Sequence, residues 1–329
     1  MSRGLGDVYK RQSIHPRVDL SSQINAILIN EMPVEDSSLF DAALHHLKTP
    51  GKAFRANLAL SSGLALNLKP DSFIYWAAAC ELLHNASLVH DDISDASTHR
   101  RGRPSINQHF GKDVALCLGD WMIAKSFELA ARSKKYGAQL TVILASVMQE
   151  TCNGQVSDTV QRRISSLPAW KTIAASKTAP LLMAPVEGIA MIANLSYCKQ
   201  SLENIVGLCG LAYQGRNDVN DIIPSSQKSS DLIGRKPNLV ISLFAQHKPA
   251  NFEKFIEWYN SNDISTANKW QRIIGSSEAV AGANSLVDAW LKEADELINT
   301  MPKALHNTLK HIVESVKLPT DKVIKNQLA

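Results

Sequence analysis

Several features that would assign the chain to a particular class are missing from its 329 residues. No apolar run reaches the roughly 18 to 20 residues that span a bilayer, and no signal-peptide pattern is present. The 35 basic residues barely exceed the 31 acidic ones and form no runs with interleaved aromatics, so nucleic-acid binding is not expected. The five cysteines form no CxxC pair, which favours reduced, mostly buried thiols. We therefore expect a soluble, cytoplasmic protein without a transmembrane segment.

Alternating strand-like runs are also missing, whereas helical periodicity continues through most of the chain. Helices are predicted at 18–30, 37–47, 55–66, 74–90, 114–132, 138–151, 169–184, 186–192, 201–221 and 237–247, with two more near the C-terminus. Residues 1–12 share no period with the rest and are expected to be a non-native or disordered tail. The sequence therefore predicts an all-α fold, a large helical bundle around a central cavity, formed by residues 13–329 as a single domain.

A cluster of acids ends the most apolar of these helices. Asp91, Asp92 and Asp95 share one helix face at about 3.6 residues per turn. Three carboxylates this close repel one another unless a cation keeps them ionised. Arg100 and Arg101 follow within ten residues, so acids and fixed cations converge. The pattern predicts a metal site that binds a polyphosphate.

A second cluster repeats this arrangement about a hundred residues later. Asn217, Asp218 and Asp221 have the same spacing, and Gln214 lies one turn earlier on the same face. The bases that follow are Lys228, Arg235 and Lys236. Two such modules in a helical protein predict two acidic faces that serve one cavity.

Over nearly everything after residue 20, the chain resembles the trans-isoprenyl diphosphate synthases of the polyprenyl synthetase family. The motifs that carry the resemblance are Gly51-Lys52-x-x-Arg55, His84 ahead of Asp91-Asp92-x-x-Asp95, Arg100-Arg101-Gly102-x-Pro104-Ser105, Gly119-Asp120, Lys177-Thr178-Ala179, Tyr213-Gln214 before Asn217-Asp218-x-x-Asp221, and Asp231-Leu232 before Lys236. They occur in the family's order and near its spacing. The resemblance implies a homodimeric enzyme that condenses isopentenyl diphosphate with an allylic prenyl diphosphate.

The resemblance also implies roles for individual residues, with about three Mg²⁺ ions per active site. The implied metal ligands are Asp91, Asp92, Asp95, Asn217, Asp218 and Asp221, of which Asp91 and Asp95 would bind directly. The implied contacts to the allylic diphosphate are Arg100, Lys177 and Lys236, with Lys228 a weaker match. The implied pocket for isopentenyl diphosphate consists of Lys52, Arg55, His84 and Arg101. Thr178 and Gln214 would lie near the reacting carbons.

Product length depends on the side chains one turn before the first acids. Ala86 and Ser87 are small, whereas family members with short products generally have an aromatic residue there. We therefore expect a product of about C20 or longer, because the channel is not closed at this level. Leu83, a turn further down, is another candidate for limiting the depth.

Some residues depart from the family pattern and keep alternatives open. Asn217 replaces an acid that usually contacts Mg²⁺, and Gly215 and Arg216 before it are also unusual. A class I terpene cyclase and a non-catalytic subunit that binds prenyl diphosphate therefore remain possible. His90-Asp91 also matches the core of an HD-type metal phosphohydrolase, but that hypothesis leaves Arg100 and the second cluster unexplained.

Overall fold

The computed structural model describes residues 15–47, 51, 53–160, 163–223, 228–261 and 263–317, and these are mostly helical. The helices are α1 (His15–Asn30), α2 (Phe40–Leu47), α3 (Phe54–Ala65), α4 (Ile74–Ser94), α5 (Ile106–His109), α6 (Lys112–Ala131), α7 (Gly137–Val160), α8 (Leu167–Ile192), α9 (Lys199–Ile222), α10 (Ser230–Gly234), α11 (Leu239–His247), α12 (Phe252–Asn260), α13 (Ala267–Gly275), α14 (Glu278–Leu297) and α15 (His306–Lys317). Short 3₁₀ turns lie at Pro70–Ser72, Lys134–Tyr136, Ser196–Cys198, Ile298–Thr300 and Lys303–Leu305. In these ranges the only strands are β1 (His99–Arg100) and β2 (Arg103–Pro104), which confirms the all-α prediction.

The chain divides into two compact units. Among the described residues, the first contains those within 15–146 and 184–198, and the second contains those within 147–183 and 199–317. The single domain predicted for residues 13–329 stays a prediction, and the predicted tail at residues 1–12 lies outside the described residues. None of the helices in the described ranges is both long and apolar enough to cross a membrane.

Helix α4 is the centre of the first unit, where it packs along α6 and against α1 and α3. It follows the Pro70–Ser72 turn and continues without a break to Ser94, and the Asp95 N–H donates to the Asp91 carbonyl at 2.8 Å. A Cβ atom on Gly119 of α6 would overlap the ring of His90, so this glycine permits the close α4–α6 contact. The acids therefore lie at the end of a helix that packing holds in place.

Helix α9 has the corresponding place in the second unit, where it packs along α14 and against α11 and α15. Gly215 lies at this contact: a Cβ atom there would come within 2.8 Å of a Val287 methyl group. Arg216 donates from Nη1 to the Lys317 carbonyl at 2.9 Å and so ties α9 to the end of α15. Gly215 and Arg216, two of the three residues that depart from the family pattern, therefore have packing roles.

Helix α8 differs from the sequence-based prediction of two helices that meet at Pro185. It is continuous from Leu167 to Ile192 and includes both Pro180 and Pro185. A proline inside a helix costs about 3 kcal/mol. Its last turns are lined with buried apolar side chains such as Leu182, Val186 and Ile189, and this burial outweighs the local cost.

Candidate active site

The first acidic cluster combines exposed and buried carboxylates at the end of α4. Asp95 is exposed and Asp91 half-buried, whereas Asp92 is buried. Asp92 forms a two-pronged ion pair with Arg100, with Nη2 at 2.7 Å from Oδ1 and Nε at 3.2 Å from each carboxylate oxygen. Such pairs fix the plane of a guanidinium group. Asp92 thus orients Arg100, and Asp91 and Asp95 are the more accessible acids.

A β-hairpin brings the two predicted phosphate-binding arginines to this end of α4. His99 pairs with Pro104 and Arg100 with Arg103. The two turn residues, Arg101 and Gly102, have φ angles of 53° and 76°, which is typical of a two-residue type I′ turn. A residue other than glycine in this conformation costs about 1 to 2 kcal/mol. Arg101 is such a residue, and strained positions of this kind cluster at binding sites.

The predicted isopentenyl diphosphate pocket is strongly basic. His84 is buried, and its Nδ1 has no hydrogen-bond partner. Burial, followed by the charges of Arg55, Arg101 and Arg100, lowers the pKa of His84 well below its usual value. The imidazole is therefore neutral at pH 7, and the structure brings Arg55 and Arg101, two of the three other predicted members, close to it. Lys52, the fourth member, lies outside the described residues.

Three polar side chains that support this pocket were missed by the sequence analysis. Glu81 of α4 accepts the backbone N–H groups of Arg55 and Ala56, both at 3.1 Å from Oε2. His46 Nε2 lies 3.0 Å from Asn85 Oδ1 and must donate to it, while Asn85 Nδ2 donates to the Glu81 carbonyl at 2.8 Å. The signal that could have found them is the presence of polar residues inside an otherwise apolar helix.

A shallow, open cleft lies beside these groups in the first unit. Its ionisable lining groups are Arg100, Arg101, Arg103, His45, His46 and Asp92. Asp92 is the single carboxylate among them and is already paired with Arg100. The cleft therefore keeps an excess of positive charge, which suits a diphosphate group.

The buried His46 predicts a loss of stability in acid. Burial, only partly offset by the hydrogen bond with Asn85, lowers the pKa of His46 from 6.5 to about 4. Between pH 6.5 and 4 the unfolded chain takes up a proton that the folded protein does not, so the free energy of unfolding falls by up to about 3 kcal/mol. Urea unfolding at pH 7 and 4.5 measures this loss. It should be smaller in His46→Gln, which keeps a donor to Asn85, and an equal loss in both proteins would contradict the assignment.

Ala86 and Ser87, the small residues from which product length is predicted, lie about one turn before Asp91. Ala86 is fully buried, and Ser87 is half-buried with its hydroxyl donating to the His84 carbonyl at 2.8 Å. Leu83 is buried as well. The Ser87 hydroxyl thus has its hydrogen-bond partner within α4. The prediction of product length depends only on the small volumes of Ala86 and Ser87.

The second acidic cluster, in the other unit, is built around a fully buried Asp218. Its Oδ2 accepts the Trp170 Nε1–H at 2.8 Å and the Leu239 N–H at 2.6 Å, and its Oδ1 accepts Gln214 Nε2 at 2.8 Å. Burial, and then the charge of Asp231, raises the pKa of Asp218 well above its usual value. Asp218 therefore orders the start of α11 and orients Gln214.

Asp221 closes the loop that follows α9. Its oxygens accept the hydroxyl groups of Ser229 and Ser230, and the N–H groups of Ser230 and Asp231 at 2.9 and 3.3 Å. Desolvation, and then the charge of Asp221, raises the pKa of Asp231 to about 7, although Asn238 donates to it at 2.9 Å. Asn217, the residue that departs from the family pattern, is half-buried on α9.

The predicted phosphate-binding bases of this unit differ in their surroundings. Lys177 Nζ lies 2.6 Å from the carboxylate of Asp158, a buried residue that the sequence analysis missed. The charge of Lys236 lowers the pKa of Asp231, so Lys236 lies near the acidic cluster. Lys228 is exposed, and Thr178 next to Lys177 is half-buried. The structure thus places Lys177 and Lys236, more than Lys228, next to carboxylates of this unit.

The donor chemistry of each cluster can be compared with what Mg²⁺ requires. In the described part of the chain, no group of three or more His, Cys, Asp or Glu side chains has the geometry to hold a metal ion. Mg²⁺ typically takes one or two carboxylates and completes its shell with water and substrate phosphates, so a full protein cage is not needed. Asp91 and Asp95, the more exposed acids of the first cluster, fit that role. Asp218 and Asp221 accept several hydrogen bonds within the protein and suit contacts through metal-bound water.

Known enzymes resemble part of this sequence. The chain is 30% identical over 204 residues to the short chain isoprenyl diphosphate synthase of Methanocaldococcus jannaschii, a match that covers 61% of the chain and 62% of that enzyme. It thus spans less than two thirds of the enzyme's length. The nonaprenyl diphosphate synthase of Mycobacterium tuberculosis is 27% identical over 235 residues, covering 70% of the chain and 68% of the enzyme.

A solved structure shares the fold. The polyprenyl synthase of Caulobacter crescentus, complexed with calcium and isoprenyl diphosphate, superposes with a TM-score of 0.79 at 23% identity, and the match covers 93% of this chain and 97% of that one. The family model described as Polyprenyl synthetase matches residues 37–277, well over half of the chain. On this match, together with the acids and bases described above, the chain belongs to the polyprenyl synthetase family.

Proposed function

We propose that the chain is a Mg²⁺-dependent trans-prenyltransferase, which condenses isopentenyl diphosphate with an allylic prenyl diphosphate to give a longer trans-prenyl diphosphate. The observation that carries the proposal is the presence of two sets of bases in the first unit. Arg100 is held at the acids by Asp92, and Arg55 and Arg101 surround the neutral His84. A condensing enzyme must bind two diphosphates, whereas a cyclase binds one.

In this proposal, one set of residues binds the allylic substrate and another set binds isopentenyl diphosphate. Asp91 and Asp95 would hold Mg²⁺, which would supply charge neutralisation for the departing diphosphate, and the family resemblance gives Asp218 and Asp221 a supporting role through metal-bound water. Arg100, Lys177 and Lys236 contact the allylic diphosphate and stabilise the negative charge that grows as its C–O bond ionises. Arg101, Arg55 and Lys52 hold isopentenyl diphosphate, whose double bond attacks the allylic cation before a proton is lost.

The neutral state of His84 gives it a defined part in this pocket. A neutral imidazole carries one N–H donor and adds no further positive charge beside Arg55 and Arg101. It can donate one hydrogen bond to a phosphate oxygen while the guanidinium groups supply the charge. Thr178 and Gln214 are proposed to lie near the reacting carbons, and the orientation of Gln214 by Asp218 supports a fixed role for its amide.

The experiment that tests the proposal uses labelled isopentenyl diphosphate with dimethylallyl, geranyl or farnesyl diphosphate in turn, with Mg²⁺ present. The expected result is a linear prenyl diphosphate longer than the primer. No elongation from any primer would contradict the transferase proposal. Light scattering on the same sample tests the proposed homodimer.

Product length is proposed to be about C20 or longer because the side chains one turn before the acids are small. We expect Ser87→Phe to shorten the main product by at least one five-carbon unit, since the ring adds bulk that a growing chain must pass. Chromatographic sizing of the products measures this effect. Ala138→Phe, an exposed position on α7 in the same unit and away from the acids, is the control. A product of unchanged length from Ser87→Phe would contradict the proposal that small side chains at this position permit the longer product.

The competing function is a non-catalytic subunit that binds prenyl diphosphate. Asn217 favours it, because an amide in place of a carboxylate lowers the affinity for Mg²⁺. We expect Asn217→Asp to lower the Mg²⁺ concentration needed for half-maximal elongation. If the wild-type chain releases no diphosphate alone at any Mg²⁺ concentration, while Asn217→Asp does, the non-catalytic function is favoured.

A further inference from the structure

Helix α3 begins without a side-chain cap from its own segment. Ala53, the residue before the helix, has a φ angle of 47° and offers no polar side chain. The first N–H groups of a helix lack partners inside the helix and need acceptors from elsewhere. Here the acceptor is Glu81 of α4, whose Oε2 lies 3.1 Å from the backbone nitrogens of Arg55 and Ala56.

The Glu81 carboxylate is also part of the charge balance of the basic pocket. It is buried, with 5% of the residue exposed. Burial lowers the pKa of Arg101, and the negative charge of Glu81 offsets part of this effect. The two N–H groups of α3 supply the hydrogen bonds that a buried polar group requires. Glu81 therefore connects the start of α3 to the helix that carries His84.

We propose that Glu81 is a positioning residue for isopentenyl diphosphate: by capping α3 it fixes the backbone of Arg55, and with it the place from which this side chain reaches the pocket. This inference rests on the proposed function. Because Glu81 accepts the N–H groups of Arg55 and Ala56, these two groups are not available to the substrate diphosphate. His84 follows Glu81 by three residues on α4, so one helix carries both the positioning acid and the neutral donor.

The test compares two substitutions of this acid. Glu81→Gln keeps an oxygen that accepts from α3 but loses the charge, and Glu81→Ala removes both. We expect the KM for isopentenyl diphosphate to rise about tenfold in Glu81→Gln and about a hundredfold in Glu81→Ala, with kcat and the KM for the allylic substrate within about threefold of wild type. Formate or acetate added to Glu81→Ala should restore part of the affinity by filling the vacated site.

Trp76→Phe is the control for a general loss of stability. It removes a buried hydrogen bond from the same helix, donated by Trp76 Nε1 to the Pro185 carbonyl at 3.2 Å, and leaves the basic pocket intact. It should lower Tm without changing the KM for isopentenyl diphosphate. If Glu81→Gln raises both KM values equally, or behaves like Trp76→Phe, Glu81 has only a structural role and the proposal is wrong.

Direct binding separates this proposal from the proposed function. Calorimetric titration of isopentenyl diphosphate into the wild type and into Glu81→Gln needs no turnover. Weaker binding to the variant supports the positioning role even if the wild type does not elongate any primer, in which case only the transferase proposal fails. Equal affinities in the two proteins would overturn the positioning role whatever the elongation assay gives.

Discussion

Asp91→Asn is expected to lower the rate of diphosphate release from the allylic substrate by at least about a thousandfold. Asp91 lies at the end of the buried helix α4 and is one of the two acids there that are accessible to a metal. Its neighbour Asp92 is paired with Arg100 and cannot replace it without breaking that ion pair. An amide keeps the shape of the side chain but not its negative charge, so binding of Mg²⁺ is weakened. Steady-state release of diphosphate over a range of Mg²⁺ concentrations measures the effect.

The control for Asp91→Asn is Asp113→Asn, an exposed acid in the first turn of α6 in the same unit. It removes the same charge at a place without a proposed metal role, and its turnover should stay within about twofold of wild type. Circular dichroism of both variants checks that the fold is kept. If Asp91→Asn retains a tenth or more of the wild-type rate, Asp91 is not a direct ligand.

Arg235→Met is expected to lower the free energy of unfolding by about 3 to 4 kcal/mol. Arg235 is buried, lies 3.9 Å over the ring of Trp258, and donates to four backbone carbonyl groups. These carbonyls belong to Leu232, Trp258, Ser261 and Asp263. Methionine fills a similar volume but leaves the carbonyls without this donor. Urea unfolding of the two proteins measures the difference.

Two further substitutions sharpen this prediction. Arg235→Lys keeps the charge but cannot bridge the same set of carbonyls. Its free energy of unfolding should therefore lie between those of the wild type and the Met variant. Arg272→Met changes an exposed arginine on α13 of the same unit and should cost less than about 0.5 kcal/mol. A loss in Arg235→Met as small as that in Arg272→Met would show that Arg235 does not hold α10 to the loop after α12.

The acids of the first cluster were predictable because local sequence determines their geometry. Asp91, Asp92 and Asp95 follow a long apolar helical pattern, and the helix that forms places them within about one turn. The family resemblance then assigned roles to the nearby arginines. The different environments of the three acids were not predictable, because the burial of Asp92 depends on Arg100, which a hairpin returns to the helix.

Contacts between distant segments explain most of what the sequence analysis missed. Glu81 caps a helix that begins 27 residues earlier, and no local motif encodes that pairing. The polar partners of Asp218 come from Trp170, 48 residues before it, and from Leu239 after it. Helix α8 continues through Pro185 because burial outweighs a local cost that the sequence rules treat as decisive.

The central claim is that the chain joins two diphosphate substrates, and the dependence of diphosphate release on isopentenyl diphosphate tests it most directly. The release of diphosphate from geranyl or farnesyl diphosphate is measured with Mg²⁺, with and without isopentenyl diphosphate. The account predicts release that rises with isopentenyl diphosphate to saturation and a linear, longer product. Release that does not depend on isopentenyl diphosphate and yields a cyclic hydrocarbon, or no release under either condition, would contradict it.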